Sequence, residues 1–349
     1  MAAPIMRAGL RSAGTIAYPV PAPAAGGQTK SPVFLISVPR RYLKRIWVFL
    51  TGQLTVTGGT GIGAILPDNI ANLIGKLEFY VDGIPYKVGG GAAFFRIGQR
   101  FDQTSGVNQG VVSKAAGAVN TFLAMIPISL EALSTVNPAD TLVDGRGVQN
   151  LQFFVTWNDP TAVIKGNDGA LALVNTQVEI FVDDTEPFPI RAGFWIQREV
   201  ETQLAPIVAS LQSRLVMPVT PGAVLRHILL GAFDTGAAGG QPVPVDTLLN
   251  AITIRVNGND KPLDTLDVRF IRARAEHLFG NPTILPVGWY ALELAEHGRV
   301  ATTGLGARLG AAAINSLDLI LNTNAPVGQG SILAHTVEHV PPGVIAKAA

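Results

Sequence analysis

The sequence predicts an all-β protein that contains one kind of β-sandwich or barrel twice. Three observations lead to this prediction. Apolar runs of strand length alternate with turn residues along the chain. Four short segments recur in the same order in both halves. The 349 residues also suffice for two domains, each large enough to bury its own core.

The recurring segments relate the first half of the chain to the second. The pairs are 42–46 (YLKRI) and 224–228 (VLRHI), 73–83 (LIGKLEFYVDG) and 248–258 (LLNAITIRVNG), 151–158 (LQFFVTWN) and 317–324 (LDLILNTN), and 177–179 (QVE) and 336–338 (TVE). The separation between the members of a pair decreases steadily along the chain. Two copies of one fold would show this decrease if the second had shorter loops, because loops tolerate length changes better than paired strands do.

The chain begins with a segment that predicts no strand. Residues 1–31 are rich in Ala, Gly and Pro and have no sustained hydrophobic period, so we expect an extended arm that only its partners order. No conventional signal peptide is expected, because Arg7 and Arg11 interrupt the segment and prolines break its apolar stretch.

The first half continues as a series of short strands. Leu77, Phe79 and Val81 alternate with Glu78 and Tyr80, which is typical of a half-buried strand. Turn residues such as Asp-Gly and Asn-Asp-Pro separate the runs. The strands are predicted over 33–38, 46–56, 77–81, 122–128, 151–157 and 178–182.

The second half repeats this pattern. A strand over 194–204 opens it, with prolines around the join, so we place the boundary near residue 190. Further strands are predicted over 225–233, 251–256, 266–271, 289–294, 317–321 and 332–340. Short helices are expected at 130–133, 204–215 and 270–278, the second of which is also a candidate bridge between the halves.

The charge is unevenly distributed along the chain. Residues 1–67 carry a net charge of +7, although the whole chain carries only +1. A basic segment of this kind predicts an anionic partner, either lipid headgroups or packaged nucleic acid. The alternative is that residues 40–45 only solvate a strand end. The basic residues in question are Arg7, Arg11, Lys30, Arg40, Arg41, Lys44 and Arg45.

The composition indicates a subunit of a large assembly. Only 15% of the residues are charged, where about 25% is typical. No stretch approaches the roughly 18 consecutive apolar residues that a membrane-spanning helix needs. We therefore expect much of the outer surface to be covered by neighbours. A monomer with many Gly, Ala and Pro loops is the alternative. The absence of cysteine excludes disulfides, zinc-thiolate sites and cysteine nucleophiles.

A glycine-rich segment follows an apolar strand at 57–63 (TGGTGIG). It resembles the dinucleotide loop of short-chain dehydrogenases, in which glycines allow the backbone to approach a pyrophosphate at a helix N-terminus. It is one residue short of that family's spacing, and no Tyr is followed four residues later by Lys. Pro67 also disfavours a long helix here. We predict a flexible interstrand loop and no cofactor.

His335, Glu338 and His339 form the pattern HxxEH, the inverted zinc-protease signature. That chemistry requires both histidines on one face of a helix. Glycines precede the motif, prolines follow it, and its Thr and Val residues favour a strand. We therefore predict no metal here.

A second candidate for metal binding is the acidic group Asp183, Asp184 and Glu186. These residues could hold a calcium ion in a surface loop, but a solvated turn is the preferred interpretation. No serine lies in a GxSxG setting near the remaining histidines. We expect no catalytic residue and no enzymatic activity.

The chain combines two consecutive β-sandwiches with a basic arm and shows no catalytic constellation. In these features it resembles the double jelly-roll major capsid proteins of tectivirus-type, membrane-containing icosahedral phages. The resemblance covers about residues 30–341. Its most specific segments are 39–56, 72–86 (NLIGKLEFYVDGIPY), 198–204 (REVETQL), 284–294 (ILPVGWYALEL) and the closing strand pair after Ser316.

The resemblance implies two eight-stranded jelly rolls with a few short helices. The implied organisation is an arm at 1–31, a first jelly roll at 32–190, a second at 191–341 and a tail at 342–349. The implied function is a homotrimeric, pseudo-hexameric capsomer that tiles an icosahedral shell.

The same resemblance implies the partners and the location. The partners are further copies of the chain, minor capsid or vertex proteins, and internal membrane lipid reached through the arm, with no specific nucleic-acid sequence. The location is the virion, after assembly in the host cytoplasm. A β-sandwich adhesin, spike or lectin-like receptor-binding protein is the alternative function.

Overall fold

A computed structural model describes most of the chain as β-strands. The described residues are 8–17, 27–36, 41–100, 107–131, 141–186, 196–218, 220, 222–236, 242–260, 266–279, 285–294 and 316–341. The chain divides into two compact units, Met1–Gln197 and Arg198–Ala349. None of the helices in this described part is long and apolar enough to cross a membrane.

The first unit contains thirteen strands among its described residues. They are β1 (Ala8–Ala17), β2 (Gln28–Lys30), β3 (Phe34–Ile36), β4 (Tyr42–Thr57), β5 (Ala64–Ile65), β6 (Ile74–Val81), β7 (Ile84–Gly89), β8 (Val107–Gln109), β9 (Val119–Ser129), β10 (Val143–Asp144), β11 (Leu151–Asn158), β12 (Ile164–Lys165) and β13 (Ala170–Thr185). The helix α1 (Gly91–Arg100) follows β7, and single 3-10 turns cover Asn69–Leu73 and Pro160–Ala162.

These strands form two main antiparallel sheets. One has the order β1-β13-β4-β9-β8, with β10 on β4, and the other contains β7-β6-β11-β2, with β3 on β11. Inward-facing side chains alternate with outward-facing ones, as period-two strands require. Leu50 and Ile180 of the first sheet and Phe79 and Phe153 of the second are fully buried. The helix α1 contacts β9 of one sheet and β6 of the other.

The second unit repeats this plan. Its strands are β14 (Ile196–Ile207), β15 (Ser210–Met217), β16 (Val224–Asp234), β17 (Val243–Pro244), β18 (Leu249–Val256), β19 (Asn259–Asp260), β20 (Leu266–Asp267), β21 (Trp289–Glu293), β22 (Leu317–Thr323) and β23 (Gly330–Val340), and its helix is α2 (Val268–Phe279). One sheet contains β17-β16-β23-β14, with β21 on β16. The other has the order β15-β22-β18-β19, with β20 on β18.

A single apolar core joins the two sheets of the second unit. Ile228 and Ile332 come from the first sheet, and Ile254 and Leu319 come from the second, and all four belong to one buried cluster. Residues from both sheets meet in one core, which is the arrangement of a β-sandwich. The predicted all-β class is therefore confirmed.

The repeated segments also pair in equivalent registers. Leu77 on β6 faces Val155 on β11, and the corresponding Ile252 on β18 faces Leu321 on β22. The sequence alignment of 73–83 with 248–258 and of 151–158 with 317–324 predicts this correspondence residue for residue. The repeat is therefore a property of the strand pairing as well as of the sequence.

Several elements differ from the sequence-based expectations. The arm expected over 1–31 contributes β1 and β2 to the sheets of the first unit, so this part of the prediction is wrong for those residues. Backbone hydrogen bonds to β13 and β11 hold β1 and β2 in place. Such bonds do not require a hydrophobic pattern in the sequence. The unit division lies between Gln197 and Arg198, a few residues after 190. The tail 342–349 lies outside the described residues.

The predicted helices have different outcomes. The helix predicted at 270–278 is present as α2. The helix predicted at 204–215 is wrong, because this segment forms the end of β14 and most of β15. The helix α1 was not predicted, since its start lies among glycines, which are poor helix formers. Residues 132–133 of the remaining predicted helix lie outside the described residues.

Candidate functional site

Pairing between β4 and β13 brings the predicted basic residues beside the predicted acidic group. Arg45 and Asp183 are register partners in this pairing. Arg41 Nε lies 3.1 Å from Asp184 Oδ1, and Asp184 is buried. Two groups that are some 140 residues apart in sequence therefore form one charged cluster. Asp184 is buried, pairs with the partly exposed Arg41 and is not part of a solvated turn, whereas Glu186 is exposed.

A third carboxylate, Glu131, completes this cluster. Arg45 Nη2 donates to Glu131 Oε1 at 2.7 Å, and Lys44 Nζ lies 3.9 Å from Glu131 Oε2. Burial raises the pKa of Glu131, and the two cations only partly oppose that effect. The Arg45 guanidinium also lies over the ring of Trp47, 5.0 Å from its centroid.

Lys30 makes a separate ion pair at the edge of the other sheet. Its Nζ bonds to Glu78, and the ammonium lies 4.5 Å from the centroid of the Phe154 ring. Burial alone would raise the pKa of Glu78, but hydrogen bonds from Lys30 and Lys76 lower it below its ordinary value. This ammonium is thus held within the first unit.

The other predicted basic residues have different positions. Arg11 lies on β1 opposite Val182, while Arg7 and Arg40 lie outside the described residues. Lys30, Arg41, Lys44 and Arg45 all form ion pairs with carboxylates of the first unit. That they also face lipid or nucleic acid stays a prediction.

The glycine-rich segment at 57–63 connects β4 to β5. The Thr60 amide and hydroxyl donate to Asp168 Oδ2 at 2.7 and 2.8 Å, and these bonds lower the pKa of Asp168. Gly59 has φ +80° and lies against the backbone of Gly169, so only glycine fits there. The chain continues into β5, which pairs with β12. No helix starts at this loop, so it lacks the geometry of a dinucleotide loop.

The HxxEH motif lies on β23, as its Thr and Val residues indicate. His335 is fully buried, with Nε2 3.3 Å from Glu199 Oε2 and Nδ1 3.9 Å from Glu201 Oε2 on β14. Burial lowers the pKa of His335, but the two carboxylates outweigh that effect and raise it overall. His335 thus lies between two carboxylates that favour its protonated form.

Glu338 of the same motif has other partners. Its Oε1 accepts a hydrogen bond from Thr220 Oγ1 at 2.6 Å and one from Arg198 Nη1 at 3.1 Å. Burial raises the pKa of Glu338 despite these donors. The residues of the motif therefore belong to two separate polar clusters, one around His335 and one around Glu338. Among the described residues, no group of three or more His, Asp or Glu side chains is arranged to hold a metal ion.

Sequence reasoning did not identify the partners on β14. Glu199 and Glu201 are two residues apart, so a strand places them on one side of the sheet. This spacing within REVETQL was the available signal, and it could have indicated a buried basic residue opposite them.

Each unit also anchors its helix through an arginine. Arg96 on α1 donates from Nε to Asp68 Oδ1 at 2.7 Å, and both side chains are almost completely buried. Arg272 on α2 binds both oxygens of Asp246. In both units the aspartate lies a few residues before the repeated strand segment, so both units hold their helix by an Asp–Arg pair at a similar place.

Comparisons of sequence identify no relative. No protein-family model matches the chain, and no curated protein matches it.

Comparison of structures identifies several similar proteins. The STIV MCP, from Sulfolobus turreted icosahedral virus, has a TM-score of 0.66 at 12% identity over 98% of this chain and 99% of its own. The PBCV-1 virus capsid has a TM-score of 0.58 at 12% identity, over 96% of this chain and 94% of its own. The major capsid protein of bacteriophage PM2 has a TM-score of 0.54 at 12% identity, over 97% and 99%.

These similarities extend over almost the whole length of both chains, so they concern both units. Identity near 12% shows the fold alone. The two sandwiches in sequence, the equivalent registers and the nearly complete coverage lead to one assignment. The chain belongs to the double jelly-roll fold, the architecture of these viral major capsid proteins.

Proposed function

We propose that the chain is a major capsid protein that assembles as a homotrimeric, pseudo-hexameric capsomer in an icosahedral shell. One observation carries this proposal. The fold matches those of the major capsid proteins of Sulfolobus turreted icosahedral virus and of bacteriophage PM2 over nearly the full length of this chain. The adhesin or lectin-like alternative gains no support from these similarities, and we assign no catalytic role to the chain.

The distribution of charge is consistent with a building block. Only 15% of the residues are charged, and many of the described charges are already paired inside a unit. Examples are Arg45 with Glu131, Arg96 with Asp68 and Arg198 with Glu338. A surface with few free charges costs little to desolvate when copies come together. Interfaces between copies are therefore the function that this composition suits best.

The remaining parts of the proposal concern organisation and partners. We assign the two units to the two jelly rolls, 32–190 and 191–341, with the tail at 342–349. The partners would be further copies, minor capsid or vertex proteins and, through the basic N-terminal region, anionic lipid of an internal membrane. The protein would assemble in the host cytoplasm and reside in the virion.

Light scattering of the purified protein at near-neutral pH tests this function. A stable species of three times the subunit mass of 36.7 kDa, or a closed shell in electron micrographs, is the expected result. A protein that remains a 36.7 kDa monomer at high concentration would overturn the proposal. Raising the ionic strength is a useful control, because a capsomer held mainly by apolar contacts should persist in salt.

A further inference from the structure

The N-terminal strand β1 occupies one edge of a sheet. It pairs with β13 from Ala8 opposite Thr185 to Ala17 opposite Gln177, with one irregularity between Ser12 and Gly14. In the described part of the chain, β13 is its only neighbour in the sheet. Without β1, the outer backbone N–H and C=O groups of β13 would lack partners.

The sequence of β1 contains few large apolar residues. It reads AGLRSAGTIA, with two large apolar residues in ten. Thr15 Oγ1 donates to Glu179 Oε1 at 3.2 Å in an exposed position, and Gly14 lies against the Phe34 ring. The register partners of β1 and β13 form a main-chain ladder, and any chain with the same strand can form that ladder equally well.

The segment that joins β1 to the rest of the chain has a sequence suited to reaching a neighbour. Residues 18–26 read YPVPAPAAG, with prolines at 19, 21 and 23. Prolines favour an extended polyproline conformation, in which nine residues span about 28 Å at about 3.1 Å each. They also lack the N–H that a continuous strand would need.

We propose that the edge of β13 is a strand-acceptor site and that, in the assembled protein, residues 8–17 of a second copy occupy it. This inference rests on the proposed function, because a shell holds copies side by side at high effective concentration. The contacts are identical within one copy and between copies, so neighbour proximity and linker geometry decide the exchange. Each exchanged strand would tie two subunits together through a ladder already present in the fold.

Engineered disulfides test the exchange, because the chain has no cysteine of its own. Thr15 and Glu179 are register partners whose side chains touch, so cysteines at these positions are close enough to bond. T15C and E179C are made in differently tagged chains, coexpressed, assembled and oxidised. A non-reducing gel should then show a covalent dimer that contains both tags.

A matched control uses the other neighbour of β13. Thr55 on β4 and Ala172 on β13 are also register partners, but β4 lies inside the sheet and cannot leave. T55C and A172C in separate chains should therefore give no covalent dimer. The double variant T15C/E179C in one chain shows whether the two positions can bond at all.

The outcomes separate the two proposals. A mixed-tag dimer in the assembled fraction supports exchange. Trimers or shells that contain only intramolecular T15C/E179C disulfides overturn exchange and leave the capsid function standing. A chain that never oligomerises overturns both.

Discussion

Arg272 on α2 holds Asp246 with two guanidinium nitrogens, at 2.5 and 2.6 Å from its two carboxylate oxygens. The same carboxylate accepts the Gly288 amide at 2.7 Å and the Tyr290 hydroxyl at 3.1 Å. Asp246 therefore links the helix, the segment before β18 and the start of β21. Burial alone would raise the pKa of Asp246, but these donors lower it.

Replacing Asp246 by Ala should destabilise the second unit by about 2 kcal/mol, because the Gly288 amide and the Arg272 guanidinium both lose their acceptor. Urea unfolding followed by circular dichroism measures the change. Asp267→Ala is the matched comparison, since Asp267 pairs with the exposed Arg269 and caps α2 by accepting the Arg269 amide, so its loss should cost only about 1 kcal/mol. Equal destabilisation by the two variants would contradict this prediction.

His335 should make the folded protein less stable as the pH rises. Its pKa is raised in the folded protein by Glu199 and Glu201, so its contribution is fully present below the unfolded-state pKa of about 6.5. The contribution is lost as pH rises through the folded-state value. Melting temperatures of the wild type and His335→Gln should therefore converge as the pH rises above about 6.5. Parallel curves would show that the imidazolium has no such role.

Asp82 should tolerate asparagine but not alanine. Its Oδ1 accepts the Gln149 and Asn150 amides at 2.9 and 2.7 Å, and its φ is +50°. Alanine loses both bonds and disfavours this left-handed backbone, so Asp82→Ala should cost about 1–2 kcal/mol in chemical denaturation. Asp82→Asn should be nearly neutral, because Asn257 has φ +51° at the equivalent turn and accepts the Ser316 amide. A large loss with asparagine would contradict the equivalence of the turns.

Zinc should leave the melting temperature unchanged. Along a strand, His335 and His339 are about 13 Å apart at about 3.3 Å per residue, too far to chelate one ion. A saturable rise in melting temperature that a chelator reverses, and that His339→Gln abolishes, would show a site after all. Magnesium at the same concentration controls for a general ionic effect.

The repeated strands could be predicted because their side chains carry the signal. Leu77 and Ile252 occupy the same place in alternating segments, and burial of one face of a strand fixes both its period and its register. The Asp-Gly and Asn-Gly turns at the ends of these strands could be predicted equally well, since few residues adopt a positive φ.

The strand β1 and the ion pairs could not be predicted in this way. An edge strand held by its backbone needs no apolar alternation, so its Ala and Gly residues resemble a disordered arm. The sequence shows that Arg41 and Asp184 are charged, but their contact follows from pairing across the fold of the first unit.

The wrongly predicted helix has a different cause. Ile207, Leu211 and Leu215 have helical spacing, yet the structure buries the first and third and leaves Leu211 77% exposed. Two alternating strands with a turn between them reproduced the helical period by coincidence.

The turns that end the repeated strands differ in one chemical respect. Asp82 carries a negative charge at an exposed tip of the first unit, whereas Asn257 at the equivalent tip of the second unit is neutral. A partner that contacts residue 82 therefore meets a carboxylate, whereas a partner that contacts residue 257 meets a neutral amide. Added salt should screen a contact made by Asp82 more than one made by Asn257, so a molecule built from two near-copies can still present them to its surroundings as distinct.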